Sequence, residues 1–223
     1  MPEQFSRLFS PIKVGSMTVP NRIAETTHLI TIGRLDGLPD DGFIAYHAQK
    51  ARSGVGWIGN QTWMVGMPKR LGSSARWVAT GRATMQGLWD RPDFNERMKR
   101  FFDAIHQYGS VAVMQLTFIT TDFGPSSEPR ARSSDDIPHE MEVEEIQEMV
   151  QIFAKAAQRF REAGADGVEL HGSHECMPEI FFSPIHNKRT DQYGGSLENR
   201  TRFAREILAA MKASAGKDFT VGL

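Results

Sequence analysis

Short apolar runs alternate along this chain with amphipathic stretches, each pair punctuated by glycine, and that rhythm restricts the fold more than any other feature. Phe43, Ile44, His47 and Ala48 fall at helical spacing within residues 39–54, with Gly54 as the stop. Residues 55–59 then read as a strand. The pattern repeats with a helix over 91–109 and a strand over 110–116. It repeats again over 142–164, where Ile146, Met149, Val150, Phe153, Ala157 and Phe160 make one stripe, followed by a strand over 165–170. Ser196 is placed to cap a last helix from 197 to about 215, with Glu198 in its first turn, and residues 219–223 form a final apolar run. Strands separated by helices rather than tight turns imply a parallel sheet. Before the first helix, residues 9–23 hold two apolar alternations split by Gly15 and Ser16, which suits a hairpin. Residues 23–27 make a strand that is polar for a buried parallel position, with Glu25 and two threonines.

Composition sets limits on function. The 223 residues are 40% hydrophobic with a formal net charge of -1, enough for a sizeable core. Basic residues are scattered among nearly as many acidic ones, so no nucleic-acid partner is expected. No window approaches the roughly 20 apolar residues of a membrane span, and the N-terminus lacks the apolar run of a signal peptide, which makes the cytoplasm the default location. The single cysteine, Cys176, excludes an internal disulfide. A complete (β/α)8 barrel takes about 250 residues. This chain reads as a TIM barrel truncated after about strand five, with residues 1–223 the N-terminal portion of one domain and 9–22 its hairpin cap.

The chemistry concentrates in residues 169–203. His171 and His174 stand where the fourth barrel strand stops, the end at which such barrels place their active sites. Two long loops, 63–90 and 117–139, come after strands and open on the same end. The run His171-Gly-Ser-His174, then Phe182-Ser183-Pro184, Asn187, Arg189, Asp191, Tyr193-Gly194-Gly195-Ser196, Glu198, Asn199 and Arg200, resembles the old yellow enzyme family of FMN-dependent oxidoreductases. Within it the chain is most similar to the branch of 2,4-dienoyl-CoA reductase and trimethylamine dehydrogenase. The resemblance runs from Leu8 to the last residue.

That resemblance implies an FMN-linked barrel, NAD(P)H as reductant and a small-molecule acceptor. An iron–sulfur cluster of the 4Fe-4S type and FAD are implied only if a C-terminal extension is present. Gln115 matches the family's flavin-contacting glutamine, whose amide can donate to one ring heteroatom and accept from another. Thr62 matches a small residue beside the flavin, and Thr26 and Thr27 match the strand-one segment whose backbone touches the ring. His171 and His174 match the pair that binds the acceptor's carbonyl oxygen, polarising an enone for hydride transfer. The rival reading of His-x-x-His is a zinc site, but no third ligand stands at an obvious spacing, so no metal is expected. Arg189, Asp191 and Tyr193 match the signature and are assigned to scaffold.

Several positions depart from the family. Cys176 stands where a tyrosine usually protonates the carbon α to the carbonyl; near a helix start its thiol is expected to have a lowered pKa and to serve as proton donor. Glu175 replaces the usual glycine. Leu29 removes the flavin-tuning side chain of strand one, Thr27 replaces a common proline, Phe118 a histidine, and Asn60-Gln61 a Thr-Glu pair. The remodelled pocket keeps open an amine dehydrogenase or demethylase of the trimethylamine dehydrogenase type, for which Trp63 and Trp77 could cage an ammonium, although packing or lid positions are the commoner role of such tryptophans; His171 disfavours it, because those enzymes carry tyrosine there. A family arginine would come just after Leu223, and phosphate-binding loops come after strands seven and eight. The chain alone is therefore expected to bind FMN poorly, and to need a homo-oligomer or a complementing C-terminal segment. A non-catalytic fragment is the remaining alternative.

Overall fold

The computed structural model describes residues 5–28, 30, 36–60, 62–71, 85–129 and 137–223. Strands β1 (Ile12–Val14) and β2 (Met17–Val19) form the expected hairpin, turning at Gly15 with a φ of 59°. Five strands then make one parallel sheet: β3 (Ala24–Glu25), β4 (Trp57–Gly59), β6 (Val111–Thr117), β9 (Gly167–Leu170) and β10 (Thr220–Gly222). Each pairs with the next in sequence order, and β5 (Trp63–Met64) adds a short rung beside the end of β6. Helices α1 (Asp41–Arg52), α3 (Phe94–His106), α4 (Val143–Ala163) and α6 (Leu197–Ala215) connect them. This succession of parallel strands and covering helices is that of a (β/α)8 TIM barrel, through its first five strands.

Alternation along the strands decides which end can hold chemistry. Ile58, Ala112, Met114, Leu116, Val168 and Leu170 face the helices and pack with Phe101, Phe153 and Phe160. Burying each such aromatic ring is worth about 2 kcal/mol. On the inner face Trp57, Val111 and Val113 meet Met17 and Val19 of the hairpin, which closes the N-terminal end of the sheet. The polar inner positions are left at the C-terminal end.

Local signals placed the helices well. The Asp40 carboxylate accepts from the Phe43 N–H at 3.1 Å, and Ser196 Oγ accepts from the Asn199 N–H at 3.2 Å. Gly164 ends α4 in the left-handed region at φ 109°. The first barrel strand is shorter than expected, two residues in place of five. The long loops also contain structure: α2 (Met85–Leu88) in one, and β7 (Phe123–Gly124), paired with β8 (His139–Glu140), at the other. After β9, at the helix start expected near Cys176, α5 (Met177–Phe182) forms because Met177, Ile180 and Phe181 bury, Phe181 packing on Phe203 at 4.5 Å. No helix among the described residues is long and apolar enough to cross a membrane.

The signature segment after α5 is held by buried polar contacts. Arg189 forks onto Asp191, with Nη2 to Oδ2 at 2.6 Å, and donates to the carbonyls of Pro125 and Met141. The Asn187 amide donates to the carbonyls of Phe181 and Tyr193, and the Tyr193 hydroxyl to Glu206. Gly194 fits only as glycine, since a Cβ there would lie 2.1 Å from the Arg189 carbonyl oxygen. Gly195 has φ 75° but open space around it. Gly194→Ala should therefore cost about 3 kcal/mol in chemical denaturation and Gly195→Ala about 1 kcal/mol; the opposite order would contradict this packing.

Candidate active site

Strand register assembles the floor of the site. Gln115 on β6 lies directly beside Glu169 on β9, and the two side chains share the inner face. Gln115 Nε2 donates to Glu169 Oε1 at 2.8 Å, and Thr27 Oγ1 donates to the same oxygen at 3.2 Å. The Thr62 hydroxyl donates to Gln115 Oε1. Three of the four expected cofactor-binding residues are thus tied into one network. The fourth, Thr26, is exposed just beyond β3, where its carbonyl faces His28 Nδ1 at 3.4 Å.

Glu169 is the member that sequence reasoning missed. The signal was present: an acid in the middle of a strand otherwise apolar, on the face shared by Gly167 and His171. Thr117, two residues beyond Gln115 on the same face, is buried with no hydrogen-bond partner for Oγ1, and Asn60 Oδ1 is buried in the same condition. Asn60 lies on the helix side with its amide against Met114 Sδ, while the inner mouth carries an amide with one N–H and one lone pair to spare, two half-exposed threonines and the buried Thr117 hydroxyl. These groups fit the heteroatom-rich pyrimidine edge of FMN.

The histidine pair stands above this floor. The His171 N–H donates to the Leu116 carbonyl at 2.8 Å, so the β6·β9 ladder continues to His171, about 7 Å along the strand from Glu169. The chain then turns sharply, with His174 at φ 59° and Glu175 at φ 58°, both left-handed without being glycine. Such geometry costs of order 1–2 kcal/mol per residue and tends to persist at functional sites. Here it folds His174 back over His171. The rings lie 5.1 Å apart at 27°, and His174 Nδ1 is 3.1 Å from His171 Nε2. Burial, and then the neighbouring His174, push the His171 pKa below its ordinary value, so its imidazole is neutral at pH 7. No cluster of three metal-ligating side chains occurs among the described residues.

Cys176 differs from its expectation. Its side chain is fully buried, and the S–H donates to the His171 carbonyl at 2.7 Å. Burial pushes the thiol up to about 11, where the sequence suggested a lowered value. A helix as short as α5 does not offset desolvation. Trp63 takes the packing role rather than the cage: it is buried on the helix side of the sheet, edge-on to Phe160 at 5.4 Å. Phe118 is buried and stacks on Phe123 at 5.5 Å. Leu29, Gln61 and Trp77 lie outside the described residues. Iodoacetamide should accordingly label Cys176 at pH 8 at least about a hundredfold more slowly than free cysteine, with a rate still rising above pH 10. A plateau below pH 8 would show a lowered pKa instead.

The NADH:flavin oxidoreductase / NADH oxidase family matches residues 7–223. The N,N-dimethylglycine/sarcosine dehydrogenase of Chromohalobacter salexigens is 34% identical over 98% of this chain and 32% of its own length. The cinnamate reductase of Clostridium sporogenes is 31% identical over 100% of this chain and 34% of its own. Among solved structures, histamine dehydrogenase from Rhizobium sp. 4-9 superposes with a TM-score of 0.81 at 25% identity, over 99% of this chain and 34% of that one. The chain thus spans about a third of the length of these relatives. It belongs to the NADH:flavin oxidoreductase / NADH oxidase family.

Proposed function

We propose that this chain forms the flavin- and acceptor-binding part of an FMN-dependent oxidoreductase that passes hydride from NAD(P)H to the activated C=C bond of an enone- or enoyl-type substrate. The observation that carries the reading is the pair of imidazoles, His174 Nδ1 3.1 Å from His171 Nε2, at the strand end above the Gln115–Thr62–Glu169 floor. When bound there, FMN supplies two-electron redox chemistry between nicotinamide and acceptor. The protein's part is to orient and polarise. Gln115 and Thr62 hold the pyrimidine edge, with Thr26 and Thr27 along strand one.

A carbonyl oxygen entering between the histidines replaces their mutual contact and accepts from both. Because His171 is neutral, its N–H polarises the carbonyl without giving up a proton, and charge building on the oxygen strengthens both bonds. Cys176 acts in this reading through position. Its S–H to the His171 carbonyl fixes the strand end from which the imidazole projects, and the proton for the α carbon comes from solvent. β3 and β10 each pair on one side only among the described residues, edges that a complementing segment or a second copy of the chain covers.

One observation favours a second reading, oxidation of an N-methylated amine: the relative at 34% identity is named N,N-dimethylglycine/sarcosine dehydrogenase. Anaerobic addition of substrates to the FMN-loaded protein separates the two. The proposal expects NADH or NADPH to bleach the visible flavin band, 2-cyclohexenone or a 2-enoyl thioester to restore it, and sarcosine to leave the oxidised band unchanged. His171→Ala and His174→Ala should each lower kcat/KM for the enone about 100-fold. Bleaching by the amine with no response to enones would overturn the proposal in favour of the second reading. No response to any reagent would overturn both and favour a non-catalytic chain.

A further inference from the structure

Glu169 has no role in the mechanism above, yet it is the acceptor on which the floor converges. Its Oε1 takes hydrogen bonds from Gln115 Nε2 at 2.8 Å and from Thr27 Oγ1 at 3.2 Å, two side chains that arrive from different strands of the barrel. Among the described residues no lysine, arginine or histidine forms an ion pair with it.

The contacts also remove a freedom. An isolated glutamine amide can present either end to a ligand, because its oxygen and nitrogen exchange places by a simple rotation. With Nε2 committed to a group that can only accept and Oε1 committed to the Thr62 hydroxyl, Gln115 has a single orientation. It then offers one N–H and one lone pair in a fixed order.

We propose that Glu169 is a positioning residue for the flavin: it locks the Gln115 amide in the order needed by the pyrimidine edge, and places a carboxylate beside that edge. The proposal rests on the flavin reading above. A carboxylate there opposes the gain of negative charge that accompanies reduction, so its removal makes the bound flavin easier to reduce. A purely structural brace would stiffen the sheet and leave that property unchanged.

Two measurements test the proposal. In the FMN-loaded protein, equilibrated anaerobically with a reference redox dye, Glu169→Gln should reach half-reduction at a ratio of reduced to oxidised dye about tenfold lower than the unmodified protein. Glu169→Asp, which keeps the charge but draws it back from Gln115, should stay within about threefold of the unmodified ratio while releasing FMN several-fold more readily. In the flavin-free protein, the two side-chain amide protons of Gln115, held apart in chemical shift by the bond to Glu169, should move toward the spacing of a solvated glutamine in Glu169→Ala. An unchanged dye ratio in Glu169→Gln with FMN still bound would overturn the proposal, as would unchanged Gln115 resonances in Glu169→Ala. Failure of the unmodified protein to take up FMN would instead sink the flavin reading, and the resonances would still decide whether Glu169 holds Gln115.

Discussion

Everything at the mouth of this barrel depends on the register between β6 and β9. Val113 pairs with Gly167, Met114 with Val168, Gln115 with Glu169 and Leu116 with Leu170, so amide and carboxyl group meet on the inner face while Met114, Leu116, Val168 and Leu170 go to the helices. A slip of one residue would turn Gln115 toward α4 and leave Leu116 in the lumen. The register is protected by apolar packing on both faces. Outside are the phenylalanines of α3 and α4; inside, one layer lower, are Val111 and Val113 against the hairpin. The polar floor is thus set by hydrophobic contacts that never touch a ligand.

Above the floor, the structure accepts local strain to bring two imidazoles together. A glycine would adopt the turn at Glu175 freely, yet this chain places a bulky residue there in the left-handed region, directly after another at His174. Hydrogen bonds from the turn and the start of α5 hold it in place. The Glu175 N–H donates to the Glu179 carboxylate at 2.6 Å, the Met177 N–H to the Phe118 carbonyl, and Cys176 to the His171 carbonyl. Rigid supports on three sides allow a strained segment to present its side chains in one arrangement, which is the condition for selective recognition of an acceptor.

Much of this was legible in the sequence because the signals were strong and local. Helical periodicity, Asp40 and Ser196 as caps and the closing glycines located the main helices, and the strand-end position of His171 and His174 located the mouth. What sequence could not supply were contacts between distant segments. Glu169 gained importance only when Thr27 and Gln115, 142 and 54 residues away along the chain, arrived on one of its oxygens. Cys176 was misjudged because its environment is tertiary: a helix start suggested a lowered pKa, while complete burial dictates the reverse. Trp63 could be read from sequence as a packing residue, and one rung of β5 beside Leu116 assigns its ring to the helix side. Of the short helix α5 only the start near Cys176 was legible, because the extent of its apolar residues depends on Phe203 on α6.

The measurement that bears most directly on the site is a titration of FMN fluorescence by the protein and by its Gln115→Leu variant. A saturable quench by the unmodified protein, however weak, and a dissociation constant about tenfold higher for the variant would show that the inner strand ends hold the flavin through this amide. Equal affinities, or no saturable quench by the unmodified protein, would contradict the assignment of the floor.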